Sequence, residues 1–151
     1  MKKETLFSAS PEQTEAFGAA LAQSLLENTT LPRYIALYGD LGVGKTAFVR
    51  GLASVLTPGA AVRSPTFALV HEYRGSLPLF HFDMYRITDE DDLYSIGYED
   101  YLLRNGVIVV EWSENIPYAL PPHHLRVTIT KNNAANPDSR EILLEEVEAS
   151  C

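Results

Sequence analysis

The chain has 151 residues, 46% of them hydrophobic, and a formal net charge of -8. That length supports one core and is too short for two, so a single domain over residues 1–151 is expected; the negative charge opposes a nucleic-acid backbone and argues against a free-standing nucleic-acid binder. The only cysteine is Cys151, which excludes an intrachain disulfide and fits a reducing cytoplasm, and Met1-Lys2-Lys3 runs into Glu4 and Thr5 with no apolar stretch of membrane-spanning length in the chain, so neither a signal peptide nor a membrane role is expected.

In chain order, residues 4–8 read as a short strand. Ser10-Pro11-Glu12-Gln13 combines an N-cap serine, a proline at the first helical position and a glutamine at the third, which starts a helix at Pro11. Phe17, Leu21 and Leu25 give that helix an apolar face, and residues 28–32 stop it. Residues 34–38 form an apolar run typical of a strand buried on both faces, and Phe48, Val49, Leu52 and Val55 recur at helical spacing over residues 46–55. Pro58-Gly59 breaks the chain, and Ser64-Pro65-Thr66-Phe67 makes a second punctuated loop. Residues 68–73 and 79–83 are strands of a hairpin, residues 89–96 and 99–103 are short helices with acidic entries, and Val107-Ile108-Val109-Val110 reads as a central parallel strand. Residues 125–130 and 142–147 alternate like an antiparallel pair around a polar turn at 131–139. The sum is an α/β sandwich with a mixed sheet.

Between the strand at 34–38 and its helix lies Gly39-Asp40-Leu41-Gly42-Val43-Gly44-Lys45-Thr46, which matches the phosphate-binding loop G-x-x-x-x-G-K-[ST] in the context that motif requires. Glycines at 39, 42 and 44 open backbone conformations closed to residues with a Cβ, so that successive N–H groups converge on phosphate oxygens at a helix N-terminus. Lys45 is expected to reach the terminal phosphates of a nucleotide, and Thr46 to ligate the Mg²⁺ that bridges them. Such a site also needs a carboxylate at a neighbouring strand end. Glu111 closes the central strand and is the favoured magnesium-side acid; Asp83, on the same face of its strand as His81, is the second metal-side or water-orienting candidate. Thr66 is a candidate contact for the γ-phosphate or Mg²⁺ from a mobile loop, or a plain turn residue. Trp112, pointing opposite to Glu111, either approaches the nucleotide or packs in the core. Arg86 either faces phosphate charge or joins the acids at 89–92. His71, His81, His123 and His124 show no zinc spacing with one another or with Cys151.

The glycine loop, Ser64-Pro65-Thr66-Phe67, His81-Phe82-Asp83-Met84-Tyr85-Arg86, Ile96-Gly97-Tyr98-Glu99-Asp100-Tyr101 and Glu111-Trp112-Ser113-Glu114 resemble, in order and spacing, the TsaE family of bacterial ATPases, once called YjeE. The resemblance implies a phosphate-loop NTPase-like sandwich with a mixed, mainly parallel central sheet flanked by helices. It implies a small ATPase required, with the partners TsaD and TsaB, for making threonylcarbamoyladenosine in tRNA, the transfer itself occurring at TsaD and tRNA being met only through the complex. By position it gives Lys45 and Thr46 the phosphate and magnesium roles, Glu111 a magnesium role and Asp83 a catalytic or metal-side role. It brings Thr66 near the terminal phosphate and Trp112 near the nucleotide, and it has the segment around Thr14 help to enclose the adenine.

Three other readings share parts of this pattern. A GTPase needs an N/T-K-x-D element, and Thr130-Lys131-Asn132-Asn133 ends in Asn. A small-metabolite kinase needs a substrate pocket and a lid for which the chain leaves little room. An assembly switch with incidental ATPase activity needs the same loop and acids, so the residues alone do not separate it from an energy-coupling ATPase.

Overall fold

The computed structural model describes residues 3–40, 42–131 and 136–148. Leu41, the centre of the 131–139 turn, Asn132, Asn133 and Cys151 therefore lie outside the described residues. Seven strands form one sheet in the order β1-β7-β6-β2-β5-β4-β3. The inner four, β6 (His123–Lys131), β2 (Tyr34–Tyr38), β5 (Val107–Glu111) and β4 (Leu79–Asp83), are mutually parallel. Antiparallel pairs extend both sides: β7 (Arg140–Glu148) on β6, β1 (Lys3–Ser8) on β7, and β3 (Val70–Tyr73) on β4. The mixed sheet with a parallel centre is the architecture expected from the sequence.

Helix α1 (Pro11–Glu27) starts as its capping residues require: Ser10 Oγ accepts from Gln13 N at 3.1 Å, while Gln13 Oε1 accepts from Ala9 N at 2.7 Å, one residue earlier than a standard capping box. Its buried stripe is Thr14, Gly18, Leu21, Ala22 and Leu25, with Phe17 only partly buried. The displacement from the expected stripe has a steric cause. Helix α2 (Lys45–Leu56) crosses so closely that a Cβ on Gly18 would stand 2.2 Å from Phe48 O, and one on Gly51 1.9 Å from Glu15 O. Only glycines allow that approach.

The central strands β2, β5 and β4 are buried on both faces. On one, α1 and α2 lay Leu21, Leu25, Phe48 and Leu52 over Ile35, Leu37, Val107 and Val109. On the other, α3 (Glu90–Ser95), α4 (Tyr98–Leu102) and two short 3-10 turns cover Phe80, Phe82, Ile108 and Val110. The odd residues of β4, Leu79, His81 and Asp83, thus share the α2 face, and Phe80 and Phe82 take the other, as the period of two predicts. β3 is shorter than expected: Leu69 N bonds Pro65 O and Leu69 adopts φ 70°, so residues 65–69 form a turn rather than strand. Among the described residues no helix is long and apolar enough to cross a membrane.

Candidate nucleotide site

The carboxyl ends of β2, β5 and β4 lie side by side, and each delivers one part of the site, as open sheets with parallel centres do. β2 runs into the glycine loop, where Gly39, Gly42 and Gly44 hold φ of 146°, 78° and 107°. These left-handed values are closed to ordinary side chains. At Gly39 a Cβ would also meet Ile129 O at 2.6 Å. Gly44 is the N-cap of α2; it offers no side-chain cap, and the first turn carries no acid. The first N–H groups of α2 are therefore left for an anionic ligand, whereas α1 satisfies its own with Ser10.

A cleft of about 540 Å³ opens over this helix end, lined by Gly42, Gly44, Lys45, Thr46, Ser64, Thr66, Asp83, Tyr85, Glu111 and Trp112. Lys45 is only 6% exposed. Its Nζ donates to Gly39 O at 2.7 Å and stands 4.6 Å from the centre of the Trp112 ring; among the described residues it has no ion pair. Asp83 and Glu111 are register neighbours on β4 and β5, so their side chains leave the same face. Both are buried. Asp83 Oδ2 accepts from the Thr66 hydroxyl at 2.9 Å, and Oδ1 accepts from Tyr85 N at 2.9 Å. Thr66 Oγ1 in turn lies 2.8 Å from Ser64 Oγ. Glu111 Oε2 pairs with His81 Nε2 at 2.5 Å. A desolvated ammonium, an uncapped helix N-terminus and two adjacent carboxylates, one of them with an unused oxygen, are the groups that an anion and a hard cation would each require.

Of the residues expected from sequence, Gly42, Gly44, Lys45, Thr46, Thr66, Asp83, Glu111 and Trp112 are brought together here. Val43 is 3% exposed and its side chain belongs to the core; Asp40 and Gly39 line a separate depression with Ile129 and Lys131. Thr14 is buried behind the loop. Its hydroxyl bonds Ser8 Oγ at 2.7 Å, and its methyl would lie 3.9 Å from a Cβ on Gly44, so it stands outside the cleft lining. Trp112 at φ 59° ends the strand alternation, so that it packs partly against the Phe80–Phe82 cluster and Tyr85 (4.9 Å between rings) and also lines the cleft. Leu69, whose carbonyl accepts from Asp83 N at 3.0 Å, carries the only other non-glycine left-handed φ among the described residues. Arg86 is exposed and lies 6.0 Å from the Phe67 ring, paired with none of the acids at 89–92.

Sequence reasoning passed over three neighbours. Ser64 and Tyr85 line the cleft, and Arg140, at the start of β7, donates to Val43 O at 2.8 Å and to Gly42 O at 3.4 Å, bracing the loop from outside. Nothing local in the sequence announces Arg140, because the contact spans 97 positions.

A family model described as "Threonylcarbamoyl adenosine biosynthesis protein TsaE" matches residues 8–142. A Bacillus subtilis (strain 168) relative named tRNA threonylcarbamoyladenosine biosynthesis protein TsaE is 38% identical over 143 residues, covering 94% of this chain and 85% of the relative. A Synechocystis relative of the same name is 43% identical over 110 residues, 69% of this chain and 66% of the relative. The crystal structure of Bacillus subtilis YdiB superposes with a TM-score of 0.78 at 32% identity, covering 97% of this chain and 86% of that one.

Proposed function

The chain belongs to the TsaE family, and from that premise we propose that it binds ATP with Mg²⁺ in the cleft at the head of α2 and hydrolyses it in the service of tRNA threonylcarbamoyladenosine formation. The observation that carries this reading is the convergence of Lys45, the uncapped N-terminus of α2, Asp83 and Glu111 on one cleft. Lys45 and the loop bind the phosphates. The all-oxygen set of Thr46 and Glu111, with Asp83 beside them, fits a magnesium ion, which when bound offsets the charge of the β- and γ-phosphates. Asp83 and Glu111 act on turnover rather than on holding the base. Trp112 and Tyr85 form an apolar wall against the nucleotide.

The protein acts as an ATP-controlled partner of TsaD and TsaB in the cytoplasm, and hydrolysis drives or resets that assembly while the transfer chemistry belongs to TsaD. The bond from Thr66 to Asp83 supports turnover that depends on a partner: the loop hydroxyl occupies the acid needed for hydrolysis, so rearranging residues 64–67 releases it. A net charge of -8 agrees with tRNA being met only through the complex.

The direct test is calorimetry of ATP binding with Mg²⁺. Replacing Lys45 by Ala removes a cation from a partly desolvated phosphate site, so affinity or hydrolysis falls at least tenfold, about 1.4 kcal/mol. Wild-type behaviour of Lys45→Ala would refute the site.

A further inference from the structure

His81 is fully buried in the middle of β4, and neither the loop nor the cleft lining includes it. On that sheet face it stands between Leu79 and Asp83 of its own strand, with Val109 beside it on β5 and His71 opposite on β3. An aliphatic side chain there would fill the same space without burying polar atoms, so packing alone does not account for an imidazole. One nitrogen bonds Glu111 Oε2; the other, Nδ1, has no partner and no solvent. A proton on Nδ1 would be an unmet buried donor, the costlier of the two arrangements, so the proton belongs on Nε2 and is donated to Glu111.

We propose that His81 is a positioning residue for hydrolysis: it holds the Glu111 carboxylate by one oxygen in a single orientation and leaves Oε1 as the oxygen offered to the cleft. This rests on the role given to Glu111 above. The Glu111 carboxylate has no other hydrogen-bond partner among the described residues, and its register neighbour is a second carboxylate, Asp83. Without His81 nothing holds the Glu111 carboxylate against the repulsion of Asp83, and Glu111 loses its fixed rotamer. The Asp83 carboxylate is held from its own side by Thr66 and Tyr85, so the defect falls on Glu111 alone.

The test begins on the full chain free of nucleotide and metal. Nitrogen-15 NMR of the His81 ring should show a protonated Nε2 and a bare Nδ1, with the Nε2 signal moving in Glu111→Ala; the opposite tautomer would overturn the proposal. The second arm measures ATP turnover in the presence of TsaD and TsaB, alongside metal-free ATP affinity read from Trp112, the only tryptophan in the chain. His81→Leu is expected to lower turnover roughly 10- to 100-fold while affinity changes less than about threefold, as for other residues that orient a site's ligands. His81→Gln, which keeps an N–H donor near the Nε2 position, is expected to recover most of the turnover. His81→Asn, whose donor falls short, is not, and it replaces His81→Leu should that variant fail to fold. In a Glu111→Ala background none of these changes should matter further. Equal effects of His81→Leu or His81→Asn in both backgrounds, or a loss that follows only the folded fraction, would reduce His81 to a structural residue. Undiminished turnover in Glu111→Ala itself would instead overturn the role given to Glu111.

Discussion

Lys45 is a buried ammonium whose partners among the described residues are one carbonyl and one aromatic face, and the two carboxylates across the cleft are held by the Thr66 hydroxyl, the Tyr85 N–H and the His81 ring. Each of these groups is oriented and Lys45 pairs with neither acid, which is how a site looks when its ligand supplies the missing charges. The acids and the lysine then separate by function. With Asp83→Asn and Glu111→Gln, isosteres that keep the buried volume filled, turnover should fall by about 10- to 100-fold while ATP affinity stays within about threefold. Measuring both quantities on each variant checks this, and parallel loss of affinity and turnover would move the acids from catalysis to binding. The face carrying Asp83 was legible from the alternation of Leu79 to Asp83, since period two needs no knowledge of the partner strands. The His81–Glu111 bond was not, because it depends on how β4 registers on β5.

At the scale of elements, the loop is fixed from two directions. Its own glycines set its path from within, and Arg140 on β7 holds the carbonyls of Gly42 and Val43 from without. Drawing those carbonyls outward favours N–H groups turned toward the cleft. Arg140→Ala should therefore weaken ATP binding by roughly tenfold, the scale of one lost charge-assisted hydrogen bond, with little change in turnover at saturating ATP. Isothermal titration of that variant decides it; unchanged affinity would leave Arg140 as a clamp on the end of β7 alone. The start of α1 could be read from Ser10, Pro11 and Gln13 because capping is local, and so could the β3–β4 hairpin. The pairing of β1 with β7 could not, since residues more than a hundred positions apart meet there. Trp112 was half legible: alternation stops at its left-handed φ, which no periodicity reveals.

Across the whole molecule, the two faces of the sheet divide the work. The α1–α2 face carries the loop and both acids, and the other face locks the central strand to α4 through Tyr34 and Tyr98. Tyr98 donates to Ala119 O at 2.9 Å, so its partner Tyr34 donates to Tyr98, at 2.7 Å. Burial pushes the Tyr98 phenol up to about 12, and burial followed by the charge of Tyr98 holds Tyr34 well above its ordinary value of 10.0. The folded state thus keeps these protons more tightly than the unfolded chain does. Their contribution is complete below about pH 10 and is lost as pH rises from there through about 12, so the thermal midpoint should drop in that window and Tyr98→Phe should flatten the drop. A midpoint equally pH-dependent in Tyr98→Phe would contradict it.

The central claim, that the cleft of this TsaE-family chain couples ATP to tRNA modification, is tested most directly by multiple-turnover formation of threonylcarbamoyladenosine in a mixture of TsaD, TsaB, tRNA and the threonylcarbamoyl donor. The mixture is run without this protein, with it, and with Lys45→Ala. Sustained rounds of modification are expected only with the wild-type chain, while Lys45→Ala behaves as the omission does. Equal modification in all three mixtures would contradict the account.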